Sequence, residues 1–335
     1  MWPPACVTPH TRRRHAGIVD IGRASSVPGG YAKCASLYVS IASPGPNRRN
    51  PSSVLRIMAH ADAVVGFHSE WARVGALRMH AVAAPGPQRP KGLPFVLVHG
   101  LGLSHEYMMP TAECLARRFE VFVPDLPGFG ESEHPDRVLD IGEMADALVA
   151  WMDVTGLVRA ALLGNSQGCQ VIIDLAARYP ERIAAGVLQG PTTPPEERSW
   201  LRQFIRWRQN APYNPPELET ISHESYRKSG YLRILRTFHY ALDDALETKC
   251  QRIRVPMLVV RGQHDPICHE SWAEDLAARF PAGRIVLIPR QAHTIVYTGP
   301  AALASVAAQF IEECMEPGPG PELQARRRDG AASGS

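Results

Sequence analysis

Short apolar runs alternate with longer segments of helical period over most of this chain. Apolar runs without polar alternation are typical of strands that are buried on both faces. The alternation predicts an α/β fold, in which helices cover both faces of a mostly parallel sheet. We predict an antiparallel hairpin over Val64–Trp71 and Leu77–Ala83, and further strands over Phe95–Val98, Glu120–Pro124, Ala160–Leu163, Ile183–Gln189, Met257–Val260 and Arg284–Ile288. Helices are predicted over Pro110–Phe119, Ile141–Gly156, Gln170–Tyr179, Trp272–Phe280 and Ala301–Met315.

The alternation stops between the sixth and seventh predicted strands. Residues 194–254 are rich in aromatic residues and have a helical period, with Trp200, Phe204 and Trp207 at positions i, i+4 and i+7. A second helix is indicated by Leu232, Leu235 and Phe238, and prolines separate the two. An insert of this length between strands is large for a simple connection. We therefore expect a separate helical element packed against the body, with Trp200, Phe204 and Trp207 as candidates to line a pocket.

The two ends of the chain differ from the body in composition. Residues 1–57 are rich in Pro, Gly, Ser and Arg and show no persistent period, which predicts a disordered basic extension. An alternative is that translation starts downstream, for example at Met58. Residues 317–335 are predicted to be a disordered tail. The folded core is therefore expected over residues 58–193 and 255–316.

Charge and cysteine usage exclude several classes of protein. The net charge is +3, but residues 58–316 hold 25 Lys and Arg against 30 Asp and Glu, so the body is mildly acidic. This predicts no nucleic-acid partner, and no apolar run approaches the roughly 20 residues that span a bilayer, so no membrane partner is predicted. The seven cysteines are dispersed without ligand-like spacing, which argues against a disulfide framework and a zinc site and favours the cytoplasm.

The most informative motif is Gly-Asn-Ser-Gln-Gly at residues 164–168. It lies between a predicted buried strand and a predicted helix. A serine on such a turn is lifted clear of the sheet, and its crowded neighbours must lack side chains, as Gly164 and Gly168 do. Free N–H groups at the start of the helix can stabilise a developing negative charge. The motif therefore makes Ser166 a candidate nucleophile.

A serine nucleophile needs a base, and the base needs an acid that orients it. Asp265 follows the predicted strand Met257–Val260, and His293 follows the predicted strand Arg284–Ile288. In a doubly wound sheet such groups belong at the carboxyl ends of strands. The chain thus offers Ser166, Asp265 and His293, in that order, as a triad.

Five motifs together resemble the α/β-hydrolase fold superfamily: His-Gly-Leu-Gly at 99–102, Asp-Leu-Pro-Gly-Phe-Gly-Glu-Ser at 125–132, Gly-Asn-Ser-Gln-Gly at 164–168, Gly-Gln-His-Asp-Pro at 262–266 and Ala-His at 292–293. The resemblance covers roughly residues 63–315. It implies that Ser166 is the nucleophile, His293 the general base and then acid, and Asp265 the orienting carboxylate. It also implies an oxyanion hole from the backbone N–H groups of Leu101 and Gln167, supported by His99 and Gly100.

The resemblance further implies that the insert 194–254 is a helical lid and that no metal or organic cofactor is required. The expected activity is that of a serine hydrolase acting on a small, apolar or aromatic ester or lactone. Cleavage of a carbon–carbon bond in a ring-fission dienoate is an alternative, mildly disfavoured by Thr294 after the histidine. A non-enzymatic ligand receptor is a second alternative. Serine at the nucleophile position weighs against haloalkane dehalogenases and epoxide hydrolases. Neither the natural substrate nor the oligomeric state follows from the sequence.

Overall fold

A single eight-stranded sheet forms the centre of the protein. The structure, a computed structural model, describes residues 66–86 and 92–315. The predicted extension 1–57, the alternative start at Met58, the first residues of the predicted hairpin and the tail 317–335 lie outside these residues. The strands, in chain order, are β1 (His68–Val74), β2 (Leu77–Ala84), β3 (Phe95–Val98), β4 (Val121–Pro124), β5 (Ala160–Asn165), β6 (Ile183–Gln189), β7 (Met257–Gly262) and β8 (Gly283–Ile288).

The strand order is β1-β2-β4-β3-β5-β6-β7-β8. β1 and β2 form the predicted antiparallel hairpin, β2 pairs antiparallel with β4, and every other pair is parallel. All residues of β3, β4, β5, β6 and β7 are buried, because helices cover both faces. The predicted α/β architecture is confirmed.

Two hydrophobic clusters lie on opposite faces of the sheet. Helices α2 and α3 contribute to one cluster, and α1 and α10 to the other. The helices are α1 (His105–Ala116), α2 (Ile141–Val154), α3 (Gln167–Arg178), α4 (Trp200–Asn210), α5 (Pro216–Ser229), α6 (Tyr231–Asp243), α7 (Leu246–Lys249), α8 (Glu270–Arg279), α9 (Ile295–Thr298) and α10 (Pro300–Met315).

Several helices differ from the predictions, and α1 and α5 differ most. Helix α1 begins at His105, five residues before the predicted start, and contains Pro110 in its interior. Helix α5 was not predicted at all. It begins with Pro216 at its first position, where the missing N–H costs nothing, and it buries only Leu218, Ser225 and Ser229. Its low apolar content gives little periodicity, so the segment after the prolines resembled a connection.

The cysteines and helix lengths bear on two further expectations. Among the described residues, Cys169, Cys250, Cys268 and Cys314 carry free thiols. Within residues 66–86 and 92–315, no helix combines the length and the apolar character that a bilayer span requires.

Candidate active site

The carboxyl ends of β5, β6, β7 and β8 meet at one edge of the sheet. Asn165 is in register with Gln189, Gln189 with Val260, and Gly262 with Ile288. Ser166 follows β5 directly, Asp265 lies three residues beyond β7, and His293 lies five residues beyond β8. Because parallel strands end at the same edge, the fold brings all three candidate residues to this edge.

Ser166 stands on a strained turn between β5 and α3. Its φ of 54° and ψ of −118° lie in a region that non-glycine residues rarely adopt, which costs about 1–3 kcal/mol. A hydrogen bond from Ser166 N to Gln189 O of 3.0 Å ties the turn to β6. The side chain is half-buried. Strain held at a single serine is typical of a nucleophile elbow.

The two glycines of the motif are required by close backbone contacts. A β-carbon at Gly168 would lie 2.4 Å from Val98 O and 2.8 Å from His99 O. A β-carbon at Gly164 would lie 2.7 Å from the carbonyl carbon of Gly168. Helix α3 can therefore start directly against the end of β3 only if both positions lack a side chain.

Asp265 and His293 form a buried pair. His293 Nδ1 lies 2.9 Å from Asp265 Oδ2, and the side chains are 8% and 0% exposed. The N–H groups of Ile267 and Cys268 donate to Asp265 Oδ1 at 2.8 and 2.9 Å. The carboxylate is thereby fixed in place, and it holds the hydrogen of the imidazole on Nδ1, which leaves Nε2 as the basic nitrogen.

Two residues that the sequence does not single out, Gln189 and Gly190, support this pair. Gln189 accepts a hydrogen bond from Asn165 Nδ2 at 2.6 Å and donates to His293 O at 2.9 Å. It thereby links the end of β5 to the histidine loop, the segment after β8 that carries His293. Gly190, with φ of 59°, lies so close that a β-carbon there would be 2.9 Å from His293 Nδ1. A buried amide at the end of β6 was the available signal, but nothing in the sequence pairs it with His293.

The candidate oxyanion loop, residues 99–102, lies against Ser166. A β-carbon at Gly100 would lie 3.3 Å from Ser166 Cβ, which places the Gly100–Leu101 peptide beside the turn. Gln167 is the first residue of α3, so its N–H has no acceptor within the helix. The Gln167 side chain is buried and approaches Met144 Sδ at 4.0 Å. Leu101 and Gln167 therefore stay the candidate oxyanion donors, through their backbone N–H groups.

His99 connects the oxyanion loop to the loop 125–132. Leu126 N donates to His99 Nε2 at 3.0 Å, so the ring hydrogen is on Nδ1, which donates to Gly100 O at 2.9 Å. Burial lowers the pKa of His99. Both nitrogens are occupied by backbone groups, which supports a structural role for this histidine.

Asp125 fixes the loop 125–132 and the start of α1 through hydrogen bonds. Its Oδ2 accepts hydrogen bonds from His80 Nδ1 and His105 Nδ1 at 2.9 Å each and from Glu131 N at 3.0 Å, and its Oδ1 accepts from His105 N at 2.7 Å. Among the described residues, His80, His105 and Asp125 are one group whose donor atoms are close enough to hold a metal ion. Their spacing is that of direct hydrogen bonds, which satisfy the buried carboxylate without an ion.

The charges of this cluster are coupled. Burial alone would raise the pKa of Asp125, but the hydrogen bonds from His105 and His80 outweigh burial and hold that pKa well below its usual range. Burial alone would lower the pKa of His105, but the hydrogen bond to Asp125 and its negative charge raise it. The protonated His105–Asp125 pair therefore stabilises the fold. The His105 contribution is complete below about pH 6.5, the unfolded pKa, and is lost as the pH rises through the raised folded pKa.

Asp125→Asn is expected to lower the free energy of unfolding by about 3–5 kcal/mol, because it breaks a buried charged pair. The deficit should be larger below about pH 6.5 than at an alkaline pH above the raised pKa of His105, where the wild-type imidazole is neutral. Urea unfolding of both proteins at the two pH values measures it. Asp146→Asn is the matched control, since this half-exposed carboxylate pairs with Arg178 rather than a histidine. An equal deficit at both pH values would show that charge does not stabilise the cluster.

The helical insert does not present its aromatic stripe to the site. Trp200, Phe204 and Trp207 are 44%, 57% and 46% exposed, so the expectation that they line a pocket is wrong for this structure. The reason is that polar Gln203 and Asn210 take the inward positions of α4. Gln203 Nε2 donates to Glu197 O at 3.1 Å.

Other residues of the insert contact the active-site loops. Asn210 Oδ1 accepts a hydrogen bond from His293 N at 3.0 Å, and Asn214 Oδ1 accepts one from Thr294 Oγ1 at 3.1 Å. A β-carbon at Gly102 would lie 2.8 Å from the Tyr226 ring of α5. The insert therefore covers the oxyanion loop and holds the backbone of the histidine loop.

The arrangement of a strained serine, a buried Asp–His pair and a loop packed on the nucleophile can be compared with known proteins. A family model for the alpha/beta hydrolase fold matches residues 94–225, and a model described as TAP-like protein matches residues 239–322. The chain belongs to the α/β-hydrolase fold superfamily. The resemblance inferred from the five motifs is thus confirmed.

Similar proteins include hydrolases of several kinds. The putative carbamate hydrolase RutD of Caulobacter sp. (strain K31) is 25% identical over 64% of this chain and 89% of its own. The 2-hydroxymuconate semialdehyde hydrolase of Pseudomonas sp. (strain CF600) is 35% identical over 30% of this chain and 36% of its own. The match thus spans only about a third of this relative. The thermophilic esterase from Thermogutta terrifontis has a TM-score of 0.63 at 23% identity, over 74% of this chain and all of its own.

Proposed function

We propose that this protein is a serine hydrolase that cleaves a small carboxylic ester or lactone. Ser166 attacks the carbonyl carbon while His293 Nε2 takes the hydroxyl proton, and the oxyanion is held by the N–H groups of Leu101 and Gln167. The proton then passes from His293 to the leaving oxygen. Water, activated by His293, hydrolyses the acyl-enzyme and releases the acid.

The observation that carries the proposal is the strained Ser166 at the same sheet edge as a buried Asp265–His293 pair. A glycine would adopt this backbone conformation with less strain. The presence of a serine here therefore points to a role for its hydroxyl. The insert, acting as a lid, excludes water from the reacting atoms. A cytoplasmic location stays a prediction.

A carbon–carbon bond hydrolase is the second candidate. The sequence similarity to 2-hydroxymuconate semialdehyde hydrolase favours it, although that similarity covers 30% of this chain. The same triad would serve, with the ketone carbonyl as the electrophile. An esterase and a C–C hydrolase differ in the leaving group, which is an alkoxide oxygen in one and a carbon in the other.

Hydrolysis of p-nitrophenyl acetate, butyrate, octanoate and laurate, beside a ring-fission dienoate followed by its absorbance, separates these candidates. The proposal predicts ester turnover with a preference for one acyl length and little turnover of the dienoate. Dienoate turnover that exceeds ester turnover would establish the second candidate. Tight ligand binding without turnover of either class would favour a receptor.

A further inference from the structure

The exposed face of helices α4 and α6 is unusually apolar. Thirteen large apolar side chains are exposed in the part of the chain that the structure describes, and nine of them lie between Trp200 and Leu235. We define the outer face by its members on the two helices: Trp200, Leu201, Phe204, Ile205, Trp207, Tyr231, Leu232 and Leu235. A concentration of this kind marks an interaction surface rather than scattered exposure.

The two helices form one continuous surface. The rings of Trp200 on α4 and Phe238 on α6 meet edge to face, with centroids 4.6 Å apart. Trp200, Phe204 and Trp207 follow one another along α4 at helical spacing, and the rings of Phe204 and Trp207 are 6.0 Å apart. On α6, Tyr231 and Leu235 have the same spacing and lead to Phe238.

The orientation of α4 is the reverse of that expected for a surface helix. Its polar Gln203 and Asn210 are 7% and 3% exposed, whereas Leu201 is 68% exposed. Asn210 is held inward by its hydrogen bond from His293 N. The inward polar contacts fix the helix with its apolar side toward solvent, so the exposure follows from specific contacts of the active site.

The charge of the outer face narrows the choice of partner. Helices α4 and α6 together contain five arginines and one aspartate, in a body whose net charge is −5. One of these arginines, Arg206, is paired with Glu197. Arg202, Arg208 and Arg236 are exposed beside the apolar residues. A second copy would bring like charges together, and residues 1–57, with eight Lys and Arg and one Asp, are themselves basic. The complementary partner is apolar and anionic.

We propose that the outer face of α4 and α6 docks on the surface of an anionic phospholipid bilayer. Trp, Phe and Leu insert at the level of the headgroups, and the arginines extend their charged ends to the lipid phosphates. The sequence-based expectation of no membrane partner considered spanning segments, which peripheral docking does not need. Docking does not depend on the proposed chemistry, because it uses neither Ser166 nor the sheet edge.

Co-sedimentation of the full chain with vesicles tests the proposal. Vesicles of phosphatidylcholine with 30% phosphatidylglycerol are expected to bind the protein at least tenfold more tightly than pure phosphatidylcholine, and high salt should remove the difference. Arg208→Gln and Arg236→Gln should each weaken binding to the anionic vesicles about fivefold. They should change binding to neutral vesicles little.

The double variant Phe204→Glu, Leu235→Glu should lose vesicle binding, while Val158→Glu, a control at a 79% exposed apolar residue outside the face, should retain it. Ser166→Ala should bind vesicles like the wild type, which separates this proposal from the proposed function. Circular dichroism checks that the variants are folded, and the two arginine variants keep the test independent of the apolar changes. The proposal would be overturned if the wild type did not bind vesicles, or if the two arginine variants and the double variant bound them like the wild type. It would also be overturned if the wild type were a dimer in solution that the double variant dissociates.

Discussion

Replacing Ser166 with alanine is expected to reduce kcat for ester hydrolysis by about 10⁶-fold, close to the loss seen when a triad serine is removed. The hydroxyl is the only group on the strained turn that can attack a carbonyl. Alanine removes this hydroxyl but keeps the β-carbon, so the backbone of the turn should not change. The variant should therefore fold normally. The measurement is kcat with a p-nitrophenyl ester, beside thermal unfolding.

Ser305→Ala is the matched control, since Ser305 is an exposed serine on α10. It should leave kcat unchanged. If Ser166→Ala retained activity within tenfold of the wild type, the nucleophile would be another group, and the proposed mechanism would be wrong.

Asp265→Asn has the second largest expected effect, a loss of about 10⁴-fold in kcat. The asparagine oxygen can still accept the N–H groups of Ile267 and Cys268, so the loop should keep its shape. The amide nitrogen would then face His293 Nδ1 as a donor and would hold the imidazole in the wrong tautomer. Kinetics at several substrate concentrations should show the loss in kcat with a much smaller change in KM.

The control for Asp265→Asn is Asp275→Asn, an exposed carboxylate that pairs with Arg279 on α8. It should have wild-type kinetics. A loss of less than tenfold in Asp265→Asn would mean that a different acid orients His293.

The sheet and the catalytic motifs were predictable because their physical requirements are local. A buried parallel strand needs an apolar run, and a crowded turn needs glycines at 164 and 168, so both requirements are visible in short stretches of sequence. Asp265 and His293 were found from their position just beyond strands, because parallel strands place their carboxyl ends together.

The support of the site and the orientation of the insert were not predictable in this way. Gln189 and Asn210 contact His293 from segments 104 and 83 residues away, and no local pattern records such a partner. The stripe of α4 has the periodicity of a core helix, but periodicity does not state which side faces the protein. The buried amides of Gln203 and Asn210 fix the orientation of α4, so that its aromatic residues face solvent.

Mass spectrometry of the intact protein after reaction with a fluorophosphonate, followed by peptide mapping, tests whether Ser166 is the nucleophile. We expect one adduct per chain on Ser166, no adduct in Ser166→Ala, and much slower labelling in Asp265→Asn, because an oriented His293 activates the nucleophile. An active protein that gains no adduct, or one labelled at another residue with Ser166 unmodified, would show that Ser166 is not the nucleophile.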